Sequence, residues 1–109
     1  MAKTNKIDKS NGVVSIEDTL KERGSRYGVF MDHAGTTQRL KNEMHSSEKW
    51  SMLAHDQKEC LEMIAHKIGR ILNGDPDYPD SWHDIVGYAK LVDDRLQKKF
   101  GELEDEIGR

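Results

Sequence analysis

Apolar residues recur at intervals of three and four in two long segments of the second half of the chain. The first segment covers about 55–73, and its apolar positions are Leu61, Ile64, Ala65, Ile68, Ile71 and Leu72. The second covers about 81–100, and its apolar positions are Trp82, Ile85, Ala89, Val92 and Leu96. This spacing is typical of amphipathic α-helices. The short turn between the segments contains two prolines and predicts that the helices are antiparallel neighbours.

Two shorter helices are predicted before this hairpin. Ser15 begins a capping-box-like pattern, which predicts a helix over 16–23 that Gly24 ends. A second helix is predicted over about 29–45, with weak helix formers in its middle. The predicted fold class is therefore all-α: a helical bundle built on a long antiparallel hairpin, with two shorter N-terminal helices.

Glycine, asparagine and serine mark the predicted ends of the two long helices. Asn73 and Gly74 predict a left-handed stop for the first long helix. Ser81 is the predicted N-cap of the second, and Gly101 is its predicted stop.

The chain is predicted to contain one helical domain between two polar ends. Residues 1–14 lack periodicity and predict a flexible arm, 15–100 form the domain, and 101–109 form an acidic tail. The 109 residues are 35% hydrophobic and 34% charged, which leaves little apolar material for a private core. We therefore expect self-association into a homo-oligomer.

Charge and composition exclude several classes of protein. The formal net charge of -3 argues against binding of duplex nucleic acid, because such proteins usually carry a basic excess. No apolar run approaches the ~20 residues that cross a bilayer. The basic N-terminus lacks the apolar stretch of a signal peptide, and the single cysteine, Cys60, forms no internal disulfide. These features predict a cytoplasmic protein without a membrane partner.

Four carboxylates are candidate ligands for Mg²⁺. Glu59 and Glu62 lie one turn apart on the first long helix, and Asp80 and Asp84 lie near the start of the second. Oxygen ligands of this kind hold hard cations, often with substrate phosphates. Because the hairpin is antiparallel, Glu59 lies about 20 Å from the turn, so the four converge only across subunits or through another element. The alternative is that they are solvated helix faces.

A glycine-flanked turn carries the strongest sign of a ligand. Arg23, Arg26 and Tyr27 lie together there, and arginine forks and an aromatic ring are suited to a phosphate and a base. Lys67 and Arg70 on the first long helix add positive charge. The alternative is that the tyrosine packs and the arginines pair with surface carboxylates.

No other motif indicates a defined chemistry. His66 or His83 is a candidate general base, and no spacing of histidine and cysteine predicts a zinc site. The chain has no glycine-rich phosphate loop of the P-loop type. The catalytic residues, if the protein is an enzyme, therefore stay undefined.

Two segments, ERGSRYGVF (22–30) and EMIAHKIGRILNGDPDYPDSWHDIVGYAKLVDDRL (62–96), resemble a family of small uncharacterised proteins of tailed bacteriophages and prophages. The resemblance covers about residues 20–96. It implies a phage gene product and gives no activity.

A second resemblance is to the MazG-type all-α nucleoside triphosphate pyrophosphohydrolases, which hold Mg²⁺ with a Glu-x-x-Glu element on one helix and a Glu-x-x-Asp element on the next. Glu59 and Glu62 match the first element, and Asp84 matches the last position of the second. Ser81 stands where the second element has glutamate, and Asp80 comes one residue too early. The resemblance implies a metal-dependent nucleotide chemistry from which one ligand is missing or displaced.

Two functions follow as hypotheses from the sequence. The first is a phage-encoded, MazG-like, Mg²⁺-dependent nucleotide pyrophosphohydrolase, in which Arg26 and Lys67 contact the phosphates. The second is a non-catalytic counter-defence protein that sequesters a nucleotide or binds a host protein, with Arg26 and Tyr27 as its grip. A purely structural interaction module is a third reading.

Overall fold

The protein is all-helical over residues 14–107, which are the residues that a computed structural model describes. Its elements in chain order are α1 (Ile16–Tyr27), α2 (Phe30–His45), a short 3₁₀ turn (Trp50–Met52), α3 (His55–Asn73) and α4 (Pro79–Glu106). The predicted fold class is confirmed. Of the predicted flexible arm, only Val14 belongs to the described residues.

Helix α1 begins where the sequence predicts and ends later. The Ser15 hydroxyl accepts a hydrogen bond from the Asp18 N–H at 3.1 Å, which satisfies one free donor of the first turn. The predicted stop at Gly24 is wrong, because the helix continues through it to Tyr27 and ends at Gly28, whose φ is 82°. A glycine inside a helix costs about 1 kcal/mol relative to alanine but removes no backbone hydrogen bond.

Helix α3 has the predicted bounds, but its end has a different geometry. The predicted left-handed stop at Gly74 is wrong, since its φ is −131°. A Cβ atom on Gly74 would overlap the backbone of Arg26 and Tyr27. The neighbouring Asp75 N–H donates to the Arg26 carbonyl at 2.8 Å. Glycine at this position therefore permits two backbones to touch.

Helix α4 is longer than predicted at both ends. It starts at Pro79, so the predicted cap Ser81 is instead a buried residue of the first turn. The predicted stop of this helix at Gly101 is also wrong, because the helix continues to Glu106 and so includes most of the predicted acidic tail. Proline is well suited to the first turn of a helix, where its missing N–H has no intrahelical partner.

Helix α3 is the central element and packs against α2 and α4. Gly69 allows the close approach of α2: a Cβ atom there would overlap the Thr37 hydroxyl and lie 2.8 Å from the His33 carbonyl oxygen. The core is small, since Cys60 and Ala65 are the only buried hydrophobic residues of the described chain. None of the helices within residues 14–107 has the length and apolarity to cross a membrane.

Candidate functional site

A cavity of about 470 Å³ opens where the end of α1 and the start of α2 lie against α3. Its volume lies within the range of small-molecule sites in proteins. The lining residues are Leu20, Arg23, Gly24, Tyr27, Gly28, Val29, Phe30, His33, His66 and Arg70.

The cavity depends on the tight corner between α1 and α2. Gly28 has a φ of 82°, in the left-handed region that favours glycine. A Cβ atom on Gly28 would overlap the carbonyl group of Asn73 at the end of α3. This contact presses the corner onto α3 and brings Tyr27 beside Arg70.

The charge of the cavity is positive. Among residues 14–107, Arg23 and Arg70 are the only charged residues that line it, and no carboxylate of that range does. The Arg70 guanidinium lies 4.1 Å from the centre of the Tyr27 ring. Its buried Nε has no hydrogen-bond partner among the described residues. A cation on an aromatic face keeps its charge and its free N–H donors, so the cavity is suited to an anion.

The start of α2 adds positive potential at the mouth. No side chain of the described residues caps this end, where Val29 is the N-cap. The first N–H groups of a helix lack intrahelical partners and carry the positive end of its dipole. Phe30, 73% exposed, lies at the mouth beside them. The mouth therefore combines backbone donors with an accessible aromatic face.

Two histidines form the wall of the cavity and are neutral at pH 7. His33 is only 5% exposed, and its ring centre lies 5.9 Å from that of His66. Burial, and then the charge of Arg70, lowers the pKa of His33. The same two causes, followed by the charge of Lys67, lower the pKa of His66 to about 4. The His33 Nδ1 is buried and has no hydrogen-bond partner among the described residues.

Acid will weaken the fold through His66. Its folded-state pKa is about 4, below the value near 6.5 of a free imidazole, so the unfolded chain binds a proton that the folded chain does not. The contribution of neutral His66 to the free energy of unfolding is complete above about pH 6.5 and is lost as the pH falls toward the folded-state pKa. We expect a loss of about 1–2 kcal/mol between pH 7 and pH 5, after allowance for solvent screening of a partly exposed ring. Urea unfolding at both pH values measures it, and His66→Gln should reduce the loss; an equal loss in that variant would contradict this assignment.

The structure brings two of the four predicted phosphate contacts into the cavity. Arg23 and Tyr27 line it. Arg26 turns away: its Nε donates to Glu22 at 2.8 Å. The Lys67 ammonium lies 3.0 Å from the Asp84 carboxylate, between α3 and α4. Both side chains are engaged elsewhere in the single chain.

A second groove, of about 480 Å³, lies on the other side of Arg23 and Tyr27. It includes Arg26 but also two carboxylates, Asp18 and Glu22. These carboxylates offset the arginine charge, so this groove is less suited to an anion than the cavity.

The predicted metal ligands are not grouped within one chain. The Glu62 carboxylate lies 2.6 Å from His45, and Asp84 pairs with Lys67. A hydrogen bond with Asp80 raises the pKa of Tyr78, while Glu59 is exposed near the start of α3. Within residues 14–107 no three side chains of histidine, cysteine, aspartate or glutamate are placed to hold one metal ion. Magnesium binding by these carboxylates stays a prediction.

Comparison with known proteins identifies no relative of this chain. No protein-family model, curated protein or solved structure matches this chain. The lining of the cavity itself defines what it can do: it can hold an anion through arginine N–H groups and place a flat ring against an aromatic side chain.

Sequence reasoning missed two aromatic members of the cavity, Phe30 and His33. Their spacing of three residues places them on one face of α2, just as the spacing of four places His66 and Arg70 on one face of α3. Those spacings were visible in the sequence. The packing of these faces around the α1–α2 corner was not, because it depends on a contact between residues that are far apart in the chain.

Proposed function

We propose that this protein binds a nucleotide and does not cleave it. The observation that carries the proposal is the cavity: the described part of the chain lines it with two arginines, no carboxylate, and an exposed phenylalanine at its mouth. An anion with a flat ring is the ligand that satisfies all three features, and a nucleotide is the common molecule of that chemistry.

Different side chains of the cavity bind different parts of the nucleotide. Arg23 and Arg70 bind phosphate oxygens through paired N–H donors. The neutral ring of His33 forms part of the wall and adds no positive charge beside the arginines. Phe30 receives the base by stacking, which tolerates different bases because each has a π-face. This division predicts a stronger requirement for the phosphate than for a particular base.

The engagement of the carboxylates supports binding rather than hydrolysis. Metal-assisted cleavage needs an ion that polarises the phosphates and activates water. Glu62 is paired with His45 and Asp84 with Lys67, so two of the four predicted ligands already have partners in the single chain. If the chain is a phage gene product, binding without cleavage would sequester a nucleotide in the host cytoplasm and so act as a counter-defence. Binding of a host protein is the alternative within that role.

A Mg²⁺-dependent pyrophosphohydrolase is the second candidate. The observation that favours it is the antiparallel pairing of α3 and α4, which carry the elements that resemble the MazG type. It requires a homo-oligomer in which another chain supplies the remaining ligands and displaces the present ion pairs.

Replacing Arg70 will weaken nucleotide binding. We expect Arg70→Gln to raise the dissociation constant of a nucleoside triphosphate by about 10-fold to 100-fold, because charge-assisted hydrogen bonds to the phosphate are lost. Arg39→Gln is the matched control, since Arg39 is an exposed arginine of α2 that does not line the cavity. Titration calorimetry with a panel of linear and cyclic nucleotides, with Mg²⁺ or with EDTA, measures both variants.

The same titrations separate the two candidate functions. Intact nucleotide recovered after binding in EDTA supports the proposal. Release of monophosphate and pyrophosphate only with Mg²⁺ would overturn it, and loss of that release in Glu62→Ala would establish the hydrolase. An equal effect of the Arg39 and Arg70 variants would remove the cavity as the binding site.

A further inference from the structure

The last three turns of α4 extend past the rest of the hairpin. Arg95 donates from Nη2 to Asp56 at 2.9 Å, in the first turn of α3, and α4 continues beyond this point to Glu106. The extension is about 16 Å long at 1.5 Å per residue. Its apolar side chains are exposed: Phe100 by 64%, Leu103 by 51% and Ile107 by 75%.

These exposed residues continue the apolar stripe with which α4 packs on α3. Leu96, Phe100, Leu103 and Ile107 follow one another at steps of four, three and four, as in the seam of a coiled coil. The stripe is therefore an interface that runs beyond its partner helix. The apolar surface of the extension is large beside the core of this protein, in which Cys60 and Ala65 are the only buried hydrophobic residues of the described chain.

We propose that the extension (residues 96–107) pairs with the extension of a second copy of this chain. The two helices are antiparallel and are related by a two-fold axis. In this register Phe100 packs on the partner's Leu103, and Leu96 packs on the partner's Ile107. A two-fold axis repeats each contact, so every member of the stripe has an apolar neighbour.

The charges of the extension select the antiparallel direction. Lysines stand at its start and acidic residues at its end: Lys98 and Lys99, then Glu102, Glu104, Asp105 and Glu106. A parallel pairing places the two acidic ends side by side, which is repulsive. The antiparallel pairing separates them and sets each against the lysines of the other chain. Lys99 and Glu106 lie on one flank of the stripe, so Lys99 faces the partner's Glu106 twice in the dimer.

The size of the contact sets its strength. Three helical turns bury less surface than a standard interface, which places this contact among the weak ones. We therefore expect a dimer that forms at micromolar concentration. The extension lies at the start of α3 and the cavity at its end, so this inference does not depend on the proposed function.

Sedimentation equilibrium of the full chain tests the pairing. Leu103→Asp should raise the dimer dissociation constant at least about 100-fold, because two carboxylates would enter the apolar contact. Leu91→Asp is the control, since Leu91 is a leucine of α4 that is 68% exposed and lies outside the extension. Circular dichroism should show equal helicity in both variants. A wild-type chain that is still monomeric at about 100 μM would overturn the proposal. Equal effects of the two variants on self-association would also overturn it.

Charge exchange tests the direction of pairing. Lys99→Glu and Glu106→Lys should each weaken self-association by about 10-fold, because each creates like-charge pairs. An equimolar mixture of the two variants should dimerise again, and so should the double variant, because both restore opposite charges across the antiparallel contact. Failure of both to recover would rule out the proposed register.

Discussion

Gly28→Ala will destabilise the protein by on the order of 4 kcal/mol. The backbone of Gly28 has a φ of 82°, which costs an alanine about 1–3 kcal/mol. The new methyl group would also overlap the carbonyl group of Asn73. The corner has little freedom to relax, because the Arg26 carbonyl accepts a hydrogen bond of 2.8 Å from the Asp75 N–H. Urea unfolding followed by circular dichroism measures the loss.

Gly87→Ala is the matched control for this experiment. Gly87 lies inside α4, and a Cβ atom there would meet no atom of residues 14–107 within 4 Å. Alanine is favoured over glycine in a helix interior, so we expect a gain of about 0.5–1 kcal/mol. The two substitutions are chemically identical, and their opposite signs would arise from position alone. A Gly28 variant as stable as the Gly87 variant would show that the α1–α2 corner does not contact α3 as described.

The sequence predicted best the element with the strongest periodicity. Helix α3 spans His55–Asn73, as expected, because its apolar positions recur over about three turns, from Leu61 to Leu72, and helix propensity agrees with this pattern. Helix α2 also starts and ends within one residue of its predicted bounds, despite Gly35 and two threonines in its middle. Packing against α3 stabilises this segment where propensity alone is weak.

The roles of the glycines were not predictable from local sequence. Gly24 and Gly101 were expected to end helices but lie inside them, whereas Gly28 and Gly74 allow backbones to touch. A glycine permits several conformations, and the tertiary contact decides which one is used. The contacts that decide here join residues about 45 positions apart, as in the Gly28 and Asn73 pair.

The candidate site was only partly predicted, again because contacts between residues far apart in the chain decide which side chains meet. Arg23 and Tyr27 were recognised because glycines flank their turn, and both line the cavity. Lys67 and Asp84 were assigned to different roles, phosphate contact and metal ligand, yet they pair with each other at 3.0 Å. Sequence spacing places residues on a helix face; it does not state which face of the neighbouring helix they meet.

Asp84→Ala will destabilise the fold by about 2–3 kcal/mol. The Lys67 side chain is only 9% exposed, and removal of the carboxylate leaves its ammonium buried without an opposite charge. Asp94→Ala is the control, because Asp94 forms an exposed pair with Lys90 within α4 and should cost less than about 0.5 kcal/mol. Urea unfolding of both variants gives the comparison.

The double variant Lys67→Met/Asp84→Ala distinguishes an ion pair from a metal site. Methionine keeps the length of the lysine side chain without its charge, so we expect the double variant to recover most of the stability that Asp84→Ala loses. A residue that serves as a metal ligand behaves differently: its removal relieves repulsion between carboxylates, leaves stability unchanged or raised, and abolishes Mg²⁺-dependent turnover. Asp84 lies outside the cavity, so nucleotide binding should persist in both variants. Stability lost and then recovered, with binding retained, would assign Asp84 to the packing of α3 on α4; turnover lost without a change in stability would assign it to catalysis and replace the binding function proposed here.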